Sequence, residues 1–426
     1  MLQRKFFFKF LCSSKSLYLW ILFVAVALRI WAFFTIDLLP VSDFKKYYDL
    51  AQNFSEFGTL ALYGQIFSFQ PPLYPWLLGA IFYLFGGTLF VAKCTNLVLS
   101  CLAAIIYYEL INKIFGVSRS GFLALASFLL FPPLALYLQV LGAETLAILI
   151  ICSVMYFLQM KLTFLVQIAI GVLFFALNVT RPQYAAISLL IIAYFLLKEK
   201  KGGVMALAFI SLTATYIYRN YLAYDEFVPL SSNSGYVLLV NNNEQNKLSG
   251  WMPLTKIGLT GEEKELINRH SSIDLFSDLD EDYKTLFWTP ASDKIARDLA
   301  IRWIVNNGSE FVNLAWLRFS RSFFRVSEEV LGWVYYAKKI PDYMVEISNF
   351  ILVICYSGSV VGLLKLHLIK EKKPLMLVLP LFVIFNIFSA LIFEGQGRYY
   401  LPIHPVVCVL LGVAFCSINI PKEARY

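Results

Sequence analysis

SDFKKYYDLAQNFSEFGTLALYGQIFSFQPPLYPWLLGAIFYLFG, residues 42–86, lies between two long apolar runs and holds the first acid of the chain beyond the first of them. Asp43 opens the stretch. Tyr47, Leu50, Ala51 and Phe54 then recur at helical spacing, while Lys45, Lys46, Asp49 and Gln52 fill the other positions, so the spacing predicts a short amphipathic helix. Such a helix lies on a membrane rather than across it. Pro71-Pro72 ends any helix, because neither proline has a backbone N–H and each restricts the residue before it; a second short helix, Leu73 to Phe85, starts from there.

Outward from this loop the chain is mostly bilayer-compatible. It is 59% hydrophobic and 15% charged, with a mean hydropathy of +0.67, which makes it a polytopic membrane protein. The basic N-terminus runs into an apolar segment with no small-residue cleavage site and reads as an uncleaved first span. Spans are expected near residues 17–39, 88–112, 119–138, 142–160, 162–180, 183–197, 203–222, 344–366, 374–393 and 399–418, about ten transmembrane helices. The net charge of +8 resides in short loops: Arg4, Lys5, Lys9 and Lys15, then Lys113 and Arg119, Lys161, Lys198 to Lys201, Lys365 to Lys373, and Lys422 with Arg425. Membrane orientation explains that charge without nucleic acid: these loops, and both termini, are expected to be cytoplasmic. The seven cysteines (12, 94, 101, 152, 355, 408, 416) are scattered through or beside apolar segments without metal-type spacing, so neither a disulfide framework nor a metal cofactor is expected.

The opposite side then collects residues 40–87, the turns at Glu144 and Arg181, the long polar segment, and Glu394 to Arg398. Three regions follow: 1–222, a transmembrane module with the first outer loop; 223–343, a small mixed α/β domain outside the membrane; and 344–426, C-terminal spans. In the middle region Gly235 and Asn241-Asn242-Asn243 read as turns around a strand, Tyr236 to Val240. Helices follow near 291–306 and 310–326, the second, with Arg318, Arg321 and Arg325, suited to lipid headgroups. The acidic run at 274–283 lacks the glycine and terminal glutamate of an EF-hand and reads as a solvated loop.

Several ionisable residues are candidates, each with a plainer reading. Asp43 suits a general base, or a helix cap. Glu144 is a second candidate acid, or a carboxylate favoured by the dipole of the helix it begins. Lys93 lies inside the second span, where a lipid phosphate is its natural partner and snorkelling the alternative. Arg181 and Arg398, at span mouths, suit phosphate as forks or pairing with Glu144 or Glu394. Tyr236 and Trp251 suit sugar or lipid contacts, or packing.

Taken in order, Ser42-Asp43 with Tyr47-Tyr48, Gln70-Pro71-Pro72-Leu73-Tyr74-Pro75, Glu144, Arg181-Pro182, the outer SNSGYVLLVNNN and Gly397-Arg398-Tyr399-Tyr400-Leu401-Pro402 resemble the polytopic glycosyltransferases of the C superfold, in particular the group related to protein O-mannosyltransferases and aminoarabinose transferases. The resemblance implies a polyprenyl-phosphate-linked sugar donor, a lipid, glycan or protein acceptor, and inverting transfer on the non-cytoplasmic face of a bacterial inner membrane. It further implies Asp43 as catalytic base, Glu144 as a second acid near the site, and Lys93, Arg181 and Arg398 as donor phosphate contacts. Tyr47, Gln70, Tyr74 and Tyr399 are expected to bind substrate. Phe44 stands where many relatives carry a second acid or a serine, which weakens the case for a divalent metal, and Gln70 where histidine or lysine is common. The alternatives are a transporter or lipid flippase, whose polar residues would sit near the midplane, and a glycan polymerase or ligase acting on lipid-linked substrates.

Overall fold

The computed structural model describes residues 15–335, 340–367 and 373–416. The expected basic residues Arg4, Lys5, Lys9, Lys370, Lys372, Lys422 and Arg425, and Cys12, lie outside the described residues. From the first described residue the chain forms α1 (Lys15–Thr35), α2 (Ser42–Phe57), a hairpin of β1 (Ala61–Leu62) and β2 (Gln65–Ile66), α3 (Leu73–Phe85), α4 (Leu89–Phe115), α5 (Arg119–Leu129), α6 (Pro132–Leu136), α7 (Glu144–Phe157), α8 (Phe164–Asn178), α9 (Ala185–Leu197) and α10 (Gly203–Tyr224). The long connection holds α11 (Ser234–Asn241), α12 (Gly261–Asn268), α13 (Glu281–Lys284), α14 (Pro290–Asn306), α15 (Gly308–Phe324) and α16 (Val326–Tyr335); α17 (Asp342–Leu364), α18 (Lys373–Ile392), a 3-10 segment (Gly397–Ile403) and α19 (His404–Ala414) complete the bundle.

Each of the ten expected spans overlaps a helix over its described residues. Among the described residues, five helical segments are long and apolar enough to cross a bilayer alone, and a sixth span forms if α5 and the segment after Pro132, bent by 46°, count as one. Four further segments, α3 and those around α7, α8 and α9, are shorter apolar helices. The chain is therefore an α-helical, polytopic integral membrane protein. Within the bundle Arg29 is fully buried on α1, its guanidinium donating to Ser100 Oγ at 2.9 Å and to the carbonyls of Ala25 and Leu129 at 2.9 and 3.3 Å. A buried arginine is tolerated in a span only when its donors are occupied in this way.

The loop 40–87 forms as its sequence predicts. α2 buries Phe44, Tyr47, Leu50 and Ala51 and ends at Gly58, whose φ of 70° is the left-handed turn that glycine adopts freely. Pro72 stands at the N-cap of α3, and the Leu73 N–H donates to the Val179 carbonyl at 3.1 Å, tying the loop to the turn before Arg181. α2 then crosses α3 at Gly79, where any side chain would meet Phe54 and the Ala51 carbonyl.

Two sequence expectations are corrected in the middle region. The segment Tyr236 to Val240 is part of α11, not a strand, and the region is helical with no strand among its described residues, so the expected mixed α/β domain is an all-helical one. The Asp293 carboxylate on α14 accepts from the N–H groups of Gly235 and Tyr236 at 2.9 and 2.8 Å and so caps the N-terminus of α11. At the other end the amides of Asn241, Asn242 and Asn243 each donate to the carbonyl four residues back, all at 2.9 Å. These tertiary and local caps outweigh the β-propensity of the valines. Secondly, Arg318 is fully buried rather than facing headgroups, donating to Asn241 O and Asn242 Oδ1 at 3.1 and 3.0 Å. Leu50, Leu60, Phe67 and Phe69 of the first loop share one apolar cluster with Tyr236, Trp288 and Leu299, so loop and middle region form a single layer over the bundle.

Candidate active site

That layer and the helix ends beneath it enclose a cavity of about 340 Å³. Asp43, Tyr47 and Gln70 of the first loop line it together with Glu144, Arg181, Arg398 and Tyr399 from turns between spans. Residues more than 350 positions apart thus meet in one pocket. Glu394, Asn233, Ser234, Gln183 and Ser389 add to its polar wall.

Asp43 sits in the first turn of α2, but neither it nor Ser42 makes a side-chain cap for that helix. Its Oδ1 accepts from Gln70 Nε2 at 2.7 Å and faces Lys46 Nζ at 3.3 Å, while Oδ2 faces an Arg398 nitrogen at 3.4 Å. About a third of the side chain, 35%, stays open. Burial alone would raise the Asp43 carboxyl, but the charges and hydrogen bonds of Lys46 and Arg398 outweigh it and hold the group below the ordinary carboxylate range. Asp43 is thus an ionised carboxylate with part of its surface turned to the cavity.

Glu144, only 1% exposed at the start of α7, is ion-paired with Arg181 and lies 3.9 Å from Arg398 Nε. Burial acts to lower the Arg181 guanidinium, and Glu144 more than reverses this, so the group stays charged. Arg398 therefore stands between both acids. Its guanidinium stacks over Phe44 and Tyr399, centroids 5.1 and 5.2 Å away, and Arg181 over Tyr399 at 5.3 Å. Phe44 is in this way a platform for the arginine. Tyr399 donates its hydroxyl to Glu394 Oε2 at 2.7 Å, and Gln396 donates to Oε1 at 2.6 Å. Burial pushes the Tyr47 hydroxyl well up, so it lines the pocket as a neutral donor.

Lys46 departs from its expected solvent-facing position. It is buried and pairs with Asp282 at 2.9 Å and Thr285 Oγ1 at 3.0 Å as well as Asp43, so part of the acidic run 274–283 is a bracket for the α2 helix rather than a purely solvated loop. Tyr74 does not reach the cavity lining: it is fully buried behind Tyr47, rings 5.5 Å apart, and donates to Asn96 Oδ1 at 2.9 Å. Lys93 is also elsewhere, its ammonium 2.6 Å from Asp37 Oδ1. Asp37 lines a second, more apolar hollow of about 550 Å³ with Leu38, Phe44, Gln139 and Trp333, so the adjacent residues Asp43 and Phe44 border different spaces. Tyr236 is a packing residue between Phe69 and Trp288, centroids 5.0 and 5.1 Å away, and Trp251 Nε1 donates to its hydroxyl at 3.3 Å. Sequence reasoning passed over Lys46, Asp37 and, except as a partner for the arginines, Glu394.

No family model and no curated protein sequence matches the chain. Among solved structures it is similar to an oligosaccharyltransferase of Archaeoglobus fulgidus in complex with zinc and sulfate, at 13% identity and a TM-score of 0.50 over 92% of this chain. It spans 48% of that protein's length. It is also similar to ArnT from Cupriavidus metallidurans bound to undecaprenyl phosphate, at 12% identity and a TM-score of 0.44, with 94% of this chain and 78% of that one covered. The bundle with its loop-built cap shares its fold with that oligosaccharyltransferase structure.

Proposed function

We propose that the protein transfers a sugar from a polyprenyl-phosphate donor to an acceptor hydroxyl at the outer face of the membrane, with Asp43 as general base and inversion at the anomeric carbon. The observation that carries this reading is the pairing, in one cavity, of a partly open carboxylate with two guanidiniums. In the transfer, the acceptor oxygen bonds to the anomeric carbon as the bond from that carbon to the phosphate oxygen breaks. The proton of the acceptor passes to Asp43, and the electron pair leaves with the polyprenyl phosphate. Arg181 and Arg398 stabilise the charge that grows on the phosphate. Glu144, with 1% exposure, acts through those arginines as a positioning residue rather than on the sugar. The similar structure from Archaeoglobus fulgidus is an oligosaccharyltransferase, which supports this reading. The test is a panel of polyprenyl-phosphate sugars given to the purified protein, read as release of free polyprenyl phosphate; silence across the panel with folded protein favours the transporter.

Lys93 extends the proposal to the lipid. The apolar hollow beside its partner Asp37 suits the first isoprene units, with the phosphate exchanging for or joining Asp37 on the ammonium. Lys93→Met is then expected to weaken donor binding by ~1.5–3 kcal/mol, the scale of a charged hydrogen bond, with Lys93→Arg milder. Donor titration by intrinsic fluorescence checks this: unchanged affinity in the methionine variant means that the lysine serves Asp37 alone.

A further inference from the structure

α17 and α19 pack more tightly than ordinary side chains allow. Gly358 and Gly362, spaced as a small-residue motif on α17, face Leu411 and Leu410 of α19 so closely that a Cβ on either glycine would run into them. One turn before Gly358, on the same face, is Cys355, and opposite it on α19 are His404 and Cys408, four residues apart and hence on one side of their helix. All three are fully buried.

Their ligand atoms lie within 4.8 Å of one another. The two sulfurs are 3.9 Å apart, and Cys408 Sγ is 3.5 Å from His404 Nε2. A tetrahedral zinc ion, with bonds of ~2.3 Å to sulfur and ~2.0 Å to nitrogen, holds sulfurs ~3.8 Å apart and sulfur from nitrogen ~3.5 Å. The imidazole is oriented for the same task. Its Nδ1 is 3.0 Å from the Tyr400 hydroxyl, and its ring stacks on Phe131 with centroids 4.2 Å apart, which puts Nε2 on the side of Cys408 Sγ. A partner on the remote nitrogen is the usual device that fixes a ligating histidine. Without metal, Nε2 meets the Ser127 carbonyl oxygen at 3.2 Å, a hydrogen bond that loading would exchange for the bond to the ion.

We propose that Cys355, His404 and Cys408 form a structural zinc site inside the bundle. Loading releases two thiol protons, and two thiolates with a neutral imidazole around a divalent ion sum to zero charge. Neutrality decides the metal: a monovalent thiophilic ion such as copper(I) would leave a net negative charge in a low-dielectric interior, where an isolated charge is costly. Packing alone accounts for two buried cysteines as small apolar side chains, and the Ser127 carbonyl for a hydrogen on Nε2, but neither gives a reason for both thiols to stand within 4.8 Å of that nitrogen. The site would clasp α17 and α19 one turn beyond Arg398-Tyr399, and so hold the segment that brings Arg398 to the cavity. It is independent of the proposed transfer reaction, since none of its ligands lines that cavity.

The experiment is elemental analysis of the full chain purified in detergent without chelator. About one zinc per chain is expected in the wild type, falling to ~0.1 or less in Cys355→Ser and Cys408→Ser, while Cys94→Ser and Cys416→Ser keep the full complement. Because the serine variants can misfold, the wild type is also stripped of metal and titrated with cobalt(II). A thiolate-to-cobalt charge-transfer band at one equivalent supports the site. A folded wild type that retains no zinc and takes up neither zinc nor cobalt overturns it, as does undiminished zinc in both variants or a Cys355–Cys408 disulfide found by peptide mapping of the non-reduced chain.

Discussion

Asp43→Asn is expected to lose turnover by ~10²-fold or more while keeping donor affinity. Asparagine preserves the shape, and its one amide oxygen can still accept from Gln70 and Lys46, which meet Oδ1 at 2.7 and 3.3 Å, while the contact of Oδ2 with Arg398 at 3.4 Å is given up. What it cannot do is take the proton of the acceptor. The structure removes the competing account in part, since Asp43 makes no cap to α2. The same ion pairs fix the expected pH dependence. The Asp43 carboxyl is depressed in the folded protein, so its contribution to stability is fully present above the unfolded carboxyl value of ~3.9 and disappears only as pH falls through the lower folded value. The base therefore stays ionised through the neutral range, and the acid limb of kcat/KM assigned to it should lie below about pH 4. Donor binding and turnover measured on one purified Asp43→Asn sample decide the matter. Near-normal turnover takes Asp43 out of the chemistry, and an acid limb near neutrality that Asp43→Glu shifts would contradict the depressed carboxyl.

Glu144→Gln should act on the fold more than on a proton transfer. Glu144 is 1% exposed and is the only carboxylate within ion-pair distance of Arg181 among the described residues. Its removal leaves a buried guanidinium without its counter-charge, a change worth ~3–5 kcal/mol of destabilisation. Thermal unfolding in detergent should show a clearly lower midpoint. The double variant Glu144→Gln, Arg181→Gln should be less destabilised than the sum of the singles, the sign of direct coupling. A Glu144→Gln protein as stable as the wild type yet inactive would instead give this acid a proton to carry.

The parts of the fold that were legible in the sequence are those where local pattern and tertiary need coincide. α2 has its apolar residues on one face, Pro71-Pro72 halts the chain where the structure turns, and α3 runs over Leu73–Phe85 as its residues predict. The apolar lengths marked the spans, and the order of Asp43, Glu144, Arg181 and Arg398 along the chain named residues that do converge on one cavity. α11 misled because the cap that makes it a helix comes from Asp293, some 57 residues on, which no window of sequence contains. Lys46 occupies a polar position on α2 by spacing, but the chain returns with Asp282 to bury it. Glu394 was seen as a counter-ion for the arginines, whereas its partners are Tyr399 and Gln396. Cys355 looked like one scattered thiol because its neighbours in space, His404 and Cys408, belong to a helix on the far side of a further span.

The central claim, that this cavity breaks the bond between sugar and lipid phosphate, is tested most directly by a mass balance. Purified protein in liposomes receives a polyprenyl-phosphate donor labelled in the sugar, with a candidate acceptor, and both label and lipid are followed. The account expects one free polyprenyl phosphate for each labelled sugar gained by the acceptor, with both yields lost in Asp43→Asn. Label that stays on its lipid and changes leaflet would contradict it and make the protein a carrier of lipid-linked sugar.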